Sequence, residues 1–289
     1  PTMPNPMKTL LPLAAGLVLG TWFAKRLVPP QARTLCPPAG QAGIRRQMEQ
    51  LKREYEKQDR MRRDFTANVS HELKTPLTSI SGYAEIIREG MVKSEDVGRF
   101  AGKIYEEAQR LITLVEDILN LSHLDEGAPG QERRQGIDLY ALCERAVASL
   151  AEAARQRGIA ISLTGSRQRV DGAEKLLAEI IFNLCDNAIK YNQENGHVAV
   201  SVTREGDRVV LAVQDTGIGI PPGETDRVFE RFYRVDKSHS KEIGGTGLGL
   251  SIVKHAAAYH DAKIQLDSQL GRGTRVRVLF PLSQKEAQP

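Results

Sequence analysis

Three features predict a multidomain α plus α/β protein. An uncharged run, "TLLPLAAGLVLGTWFA", occupies residues 9 to 24. A long tract with apolar residues at alternating four- and three-residue spacing follows a proline- and glycine-rich break. The C-terminal half then alternates short β-branched runs with helical stretches. The architecture expected is one N-terminal transmembrane helix, a dimeric helical-hairpin four-helix bundle, and an α/β sandwich domain.

Lys8, Lys25 and Arg26 flank the uncharged run. At ~1.5 Å per residue it spans ~24 Å as a helix, and snorkelling lysines with Trp22 at headgroup level cover the rest of the bilayer core. A membrane helix over 9–27 is therefore expected. The surplus of positive charge on its C-terminal side orients the rest of the chain to the cytoplasm, as a single-pass protein of the cell membrane. A secretory signal peptide is the competing reading of the same residues. A chain starting at Pro1 reads as a piece of a longer one.

Hydrophobic residues make up 40% of the chain and charged residues 26%, enough to build cores without staples. Cys36, Cys143 and Cys185 are odd in number and without metal spacing, which argues against a disulfide framework or a zinc site. The net charge of +4 is carried largely by residues 44–65, where acids are interleaved, and this excludes a nucleic-acid surface.

Residues 28–43, "VPPQARTLCPPAGQAG", read as a linker that cannot continue a helix. From there Ile44, Met48, Leu51, Tyr55, Gln58, Arg62, Phe65 and Val69 form a seam weakened at its centre, so 44–64 is expected to be a coiled-coil signalling helix. The helix should run to about Arg88, turn over 89–96, and be followed by a second one with Val97, Phe100, Ile104, Leu111, Val115, Ile118 and Leu119 at helical spacing. This hairpin, 65–127, pairs with that of a second copy.

On the first hairpin helix lies "SHELKTPL", residues 70–77. Thr75 shares a face with His71, and the ring of Pro76 presses on the carbonyl of Glu72 and bends the helix beside the histidine.

Domain 137–283 reads as a mixed sheet with helices on one face: strands at 159–163, 197–203, 208–215, 262–267 and 274–280, helices at 138–156, 173–191 and 248–259. In "EIIFNLCDNAIKYN", residues 179–192, Leu177, Ile180, Ile181, Leu184 and Ala188 make a core stripe. Opposite it stand Glu179, Asn183, Asn187, Lys190 and Tyr191, and the two asparagines bring oxygens suited to a hard cation and donors suited to phosphate. "QDTGIGI", 214–220, ends a strand with Asp215 able to accept from an exocyclic amine and with Gly217 and Gly219 opening the backbone to a flat base. "GGTGLGLSIV", 244–253, puts Gly245, Thr246, Gly247, Leu248 and Gly249 before an apolar helix whose N-terminus suits phosphate. It is neither a Walker loop nor a dinucleotide fingerprint.

Taken in order, "SHELKTPL", the asparagine helix, "DTGIG", "FERFYRVD" at 229–236 and "GGTGLGLS" resemble the sensor histidine kinases, whose ATP-binding domain is shared with the gyrase, heat-shock-90 and MutL type ATPases. The resemblance covers roughly 44–282. It implies His71 as phosphoacceptor, Glu72 as its base, ATP and Mg2+ as cofactors, and Asn183 as magnesium ligand. It further implies Asn187, Lys190 and Tyr191 on the phosphate and ribose side, Asp215 on the adenine amino group, and a mobile lid over about 222–246 with Arg234 at a phosphate. The partners implied are a second copy of the chain and a cytoplasmic response regulator, whose aspartate takes the phosphoryl group. An acid followed three residues later by threonine goes with phosphatase activity toward that regulator, giving Thr75 a role; back-bonding to a helix carbonyl is its structural alternative. An ATP-driven conformational clamp with Glu179 as water base is the alternative function, for which "SHELKTPL" has no use. Two departures from the family's pattern stand out: "HDAKIQL" has Asp261 and Ala262 where the family usually turns on a pair of glycines, and no full juxtamembrane signalling module or sensory domain is read after the proline-rich linker.

Overall fold

A computed structural model describes residues 38–125, 132–235 and 245–283. The expected membrane helix, the linker up to residue 37 and the central part of the expected lid lie outside the described residues. Among the described residues no helix is long and apolar enough to cross a membrane. The chain divides into two units, one up to Asp64 and one from Phe65 onward.

Helix α1 runs Pro38–Arg88 without interruption. It begins within the tract expected to be a linker, because proline is tolerated in a first helical turn, where its missing N–H has no intrahelical partner to lose. Up to Asp64, α1 carries i,i+4 ion pairs of Arg63 with Asp59 at 2.7 Å and Lys52 with Glu56 at 3.8 Å. The seam residues Met48, Leu51 and Tyr55 stand 63%, 63% and 71% exposed, an apolar stripe along this part of α1.

From Phe65 onward, α1 continues through a buried Pro76 to a turn at Glu89 and Gly90, and α2, Val97–Asp125, returns. Next come β1 (Arg134–Asp138), α3 (Leu139–Gln156), β2 (Ala160–Gly165), β3 (Arg169–Gly172), α4 (Glu174–Lys190), β4 (His197–Glu205) and β5 (Arg208–Asp215). A 3-10 turn at Arg227–Phe229, helix α5 (Gly249–Tyr259) and strands β6 (Lys263–Gln269) and β7 (Gly273–Pro281) complete the order. The main sheet has the order β2-β4-β5-β7-β6, with β2 and β4 parallel and every other pair antiparallel. A parallel pair needs a long crossover, and α4 is part of it. β1 and β3, which periodicity did not reveal, form a separate antiparallel pair; four or five residues are too few to show alternation.

Alternation along β4, β5 and β7 turns Val198, Val200, Val202, Leu211, Val213, Val276, Val278 and Phe280 toward the helices, all at most 7% exposed. The core stripe of α4 meets them: Leu177, Ile180, Ile181, Leu184 and Ala188 are at most 4% exposed. Leu114, Leu121 and Leu124 of α2 join the same cluster as Leu248, just before α5, and Ile252 and Ala256 of α5, so the hairpin is docked on the α/β domain.

At the end of α5 the ring of His260, 1% exposed, is fixed in one tautomer: Nδ1–H donates to the Ala256 carbonyl at 2.7 Å, and Nε2 accepts from Ala173 N–H at 3.0 Å, just before α4. Burial, aided by nearby Arg133 and opposed by Asp261, lowers its pKa below the ordinary 6.5. Below that value the unfolded chain takes up a proton that the folded one refuses. Stability is therefore full above about pH 6.5 and falls as pH drops toward the folded pKa. Urea midpoints should show this fall and lose part of it in His260→Gln.

Asp261, next in the chain, has φ +54, the left-handed conformation that glycine adopts without strain. At this turn, where the family resemblance leads to an expected glycine, stands a residue type that tolerates this region at a cost. Asp261→Gly should stabilise the protein by about 0.5–1 kcal/mol. A thermal midpoint that does not rise would mean that the aspartate's ion pair with Arg133, at 3.6 Å, outweighs the strain.

Candidate nucleotide-binding site

A cavity of about 610 Å³ opens between α4, the end of β5, and the start of α5. Asn183, Asn187, Lys190, Tyr191, Asp215, Gly219, Arg234, Gly245, Thr246, Gly247 and Gly249, all singled out in the sequence, line it. Its floor is apolar, with Val213, Ile218, Ile220, Leu266 and Val276 around Asp215. At this end of the cavity the Asp215 carboxylate stands among apolar side chains, which suits a flat heterocycle bearing an amino group.

The local geometry decides which Asp215 oxygen is available. Oδ1 accepts from Gly217 N–H at 2.8 Å and Thr274 N–H at 3.1 Å, which leaves Oδ2 to receive a ligand's donor. Burial pushes its carboxyl above the ordinary carboxylate range, and those two N–H groups pull it back. Gly217 itself does not line the cavity. A Cβ there would meet the Tyr191 carbonyl oxygen at 2.2 Å, so its missing side chain serves packing against the end of α4. Gly219 has φ +66 and sits against the Gln269 carbonyl.

At the opposite side, Asn183 donates through Nδ2 to the Glu179 carbonyl at 2.9 Å, one turn back. Its Oδ1 therefore faces Gly249, where a Cβ would come within 2.7 Å of it. An amide oxygen presented this way suits a hard cation such as Mg2+, which is held by few protein oxygens and keeps water and phosphate as its other ligands. Helix α5 starts with no side-chain cap, and Gly247, Gly249 and Leu250 at its start line the cavity, a place where uncapped N–H groups suit an anion. Lys190 is paired with Asp186 at 2.6 Å. Leu248 is fully buried and contributes to the core, and its N–H donates to Thr246 Oγ1.

Four contacts from the hairpin were not legible in the sequence. Arg234 Nη2 donates to Glu72 Oε2 at 2.8 Å, with the arginine side chain 6% exposed and its Nε left without a partner. Thr246 Oγ1 donates to Asp117 Oδ2 at 2.8 Å; Asp117 itself lines the cavity, and burial raises its pKa. Arg231 Nη2 pairs with Asp125 Oδ1 at 2.6 Å, while Phe65 and Phe232 have ring centroids 5.7 Å apart. Asp117 gave no signal because an acid on the polar side of an amphipathic helix looks like a solvated residue. His71 and Thr75 are exposed on α1, and the Thr75 hydroxyl donates to the His71 carbonyl at 3.1 Å, the back-bond of its structural alternative.

The fold and cavity define a nucleotide-binding α/β domain carried behind a helical hairpin. Residues 172–284 match the family of histidine kinase-, DNA gyrase B-, and HSP90-like ATPases, and residues 61–127 match the His Kinase A (phospho-acceptor) domain. The chain is 41% identical over 229 residues to the sensor-like histidine kinase SenX3 of Mycolicibacterium smegmatis, covering 79% of this chain and 59% of SenX3. It is 36% identical to the sensor histidine kinase WalK of Bacillus subtilis, covering 81% of this chain and 39% of WalK. Full-length ShkA in complex with AMPPNP superposes with a TM-score of 0.56 at 28% identity, over 75% of this chain and 45% of that one. The chain belongs to the sensor histidine kinases of two-component systems, and spans little more than half of the relative SenX3.

Because Oδ1 is held by two backbone N–H groups, Asp215→Asn keeps its fold-side acceptor and turns an amide N–H₂ toward the ligand's amino group. Losing a charge-assisted bond of ~1.5–3 kcal/mol should weaken ATP binding by about 10- to 100-fold in calorimetry. Unchanged affinity would locate the base elsewhere.

Proposed function

We propose that this chain uses ATP to phosphorylate His71 and passes the phosphoryl group to an aspartate of a separate response regulator. The observation that carries this reading is the Arg234–Glu72 ion pair: the group at the phosphate side of the cavity reaches the immediate neighbour of the histidine. A ring nitrogen of His71 attacks the terminal phosphorus, the bond to the bridging oxygen breaks, and ADP leaves. Glu72 takes the ring proton. Asp215 orients the adenine. The N–H groups at the start of α5, with Lys190 and Arg234, hold the phosphates. Asn183 Oδ1 would hold Mg2+, which neutralises phosphate charge when bound. The complex of ShkA with AMPPNP supports an adenine nucleotide in this fold.

Leu77, Ile112, Val115 and Leu119 of the hairpin stand 40–54% exposed, which supports pairing with a second copy as a four-helix bundle. Membrane attachment through residues 9–27 rests on their sequence alone. What supports a part for Thr75 in removing phosphate from the regulator is its place one turn beyond His71. With its proton given to the His71 carbonyl, its lone pairs are what remain to hold a water. Glu179, the water base of a clamp, is not among the residues lining the cavity, so the geometry favours the kinase.

With γ-labelled ATP the chain should acquire acid-labile, base-stable label, and His71→Gln should abolish it while ATP binding persists. Label that survives this substitution would remove His71 from the mechanism.

A further inference from the structure

The groups best suited to a triphosphate are already engaged by carboxylates of the hairpin. Arg234 lines the cavity, is almost wholly buried and gives Nη2 to Glu72, while its Nε has no partner. Thr246, beside the uncapped start of α5, gives its hydroxyl to Asp117, which reaches into the cavity from α2. A carboxylate and a phosphate are both anionic acceptors and seek the same donors. Asp117 takes the one hydroxyl proton of Thr246, Glu72 takes one N–H of Arg234 and offsets its positive charge, and Asp117 also repels a triphosphate in the cavity it lines.

Resting on the nucleotide reading above, we infer that Glu72 and Asp117 act as built-in phosphate mimics, so that hairpin docking and triphosphate binding compete for Arg234 and Thr246. The contact is autoinhibitory in two ways. It lowers affinity for ATP, and it holds the proposed base of His71 in an ion pair. Triphosphate binding draws Arg234 off Glu72 and frees that carboxylate beside the histidine. Nucleotide occupancy and release of the base are thereby one event. Competition of this kind is reciprocal: whatever undocks the hairpin tightens ATP binding by the factor with which ATP loosens the hairpin.

Asp125 separates this from a simple charge effect. It pairs with Arg231 at 2.6 Å and lies 3.5 Å from His255, and none of the three lines the cavity. Removing it weakens docking and leaves the cavity's own charges in place.

The test is calorimetry of ATP and AMP on the full chain in a His71→Gln background, which prevents turnover. Glu72→Ala with Asp117→Ala should tighten ATP binding by about 10-fold and leave AMP, which lacks the outer phosphates, nearly unchanged. Asp125→Ala should tighten ATP in the same direction. Glu72→Gln with Asp117→Asn keeps the side-chain shapes and replaces the alanine pair if that pair does not fold. ATP affinity that is unchanged or weaker in the paired variants overturns the inference. A rise in them that is absent in Asp125→Ala also overturns it, as a local charge effect. No ATP binding by the His71→Gln chain would instead overturn the nucleotide reading on which it rests.

Discussion

The rotation of α4 about its own axis governs the site. Five apolar side chains, Leu177, Ile180, Ile181, Leu184 and Ala188, are buried against the sheet, and each large one contributes about 1.5–3 kcal/mol over exposure. A turn of one residue about the axis would expose them and drive Asn183 or Asn187 into the core, at a cost of about 1–3 kcal/mol for each amide left unpaired. With the apolar stripe fixed, Asn183, Asn187 and Lys190 face the cavity together. The Asn183 amide needs one further restraint, its bond to the Glu179 carbonyl, to turn its oxygen outward. Hydrophobic burial sets the position, and one hydrogen bond sets the polarity.

The other side of the cavity depends on the sheet. Strand β5 is central, paired with β7 up to Gln214 and with β4 through Asp215 itself, and so delivers Asp215 at a fixed height. The carboxylate is then clamped by N–H groups from two separate segments, Gly217 and Thr274. Gly217 lies off the cavity and accommodates the Tyr191 backbone, whereas Gly219 lines the cavity and also sits against the Gln269 backbone. Their absent side chains let the β5 end, the α4 end and the β6–β7 turn meet, and this meeting makes the pocket.

The hairpin is held to the α/β domain by a mixture of apolar and charged contacts. Leu114, Leu121 and Leu124 supply burial, and three carboxylates, Glu72, Asp117 and Asp125, each meet a donor from the segment 231–246. An arginine 6% exposed with one orphaned N–H is costly, so this docking is marginal at its polar contacts while secure at its apolar ones.

Hydrophobic period by itself determined the long helices, the strands of the main sheet and the orientation of α4, since those follow from which residues must leave water. The histidine, the asparagines, Asp215 and the glycine-rich run were legible because their residue types are uncommon at those places in a helix or turn. The start of α1 at Pro38 was not legible, because proline's tolerance in a first turn depends on where the helix begins. The small β1–β3 pair was too short to show a period. Asp117 and Asp125 look like any solvated acid on an amphipathic helix, and Arg234 like any basic residue before a loop. Only the tertiary structure decided that they meet, since such contacts join residues more than a hundred positions apart, and no local pattern encodes a pairing made by the docking of two separately folded surfaces.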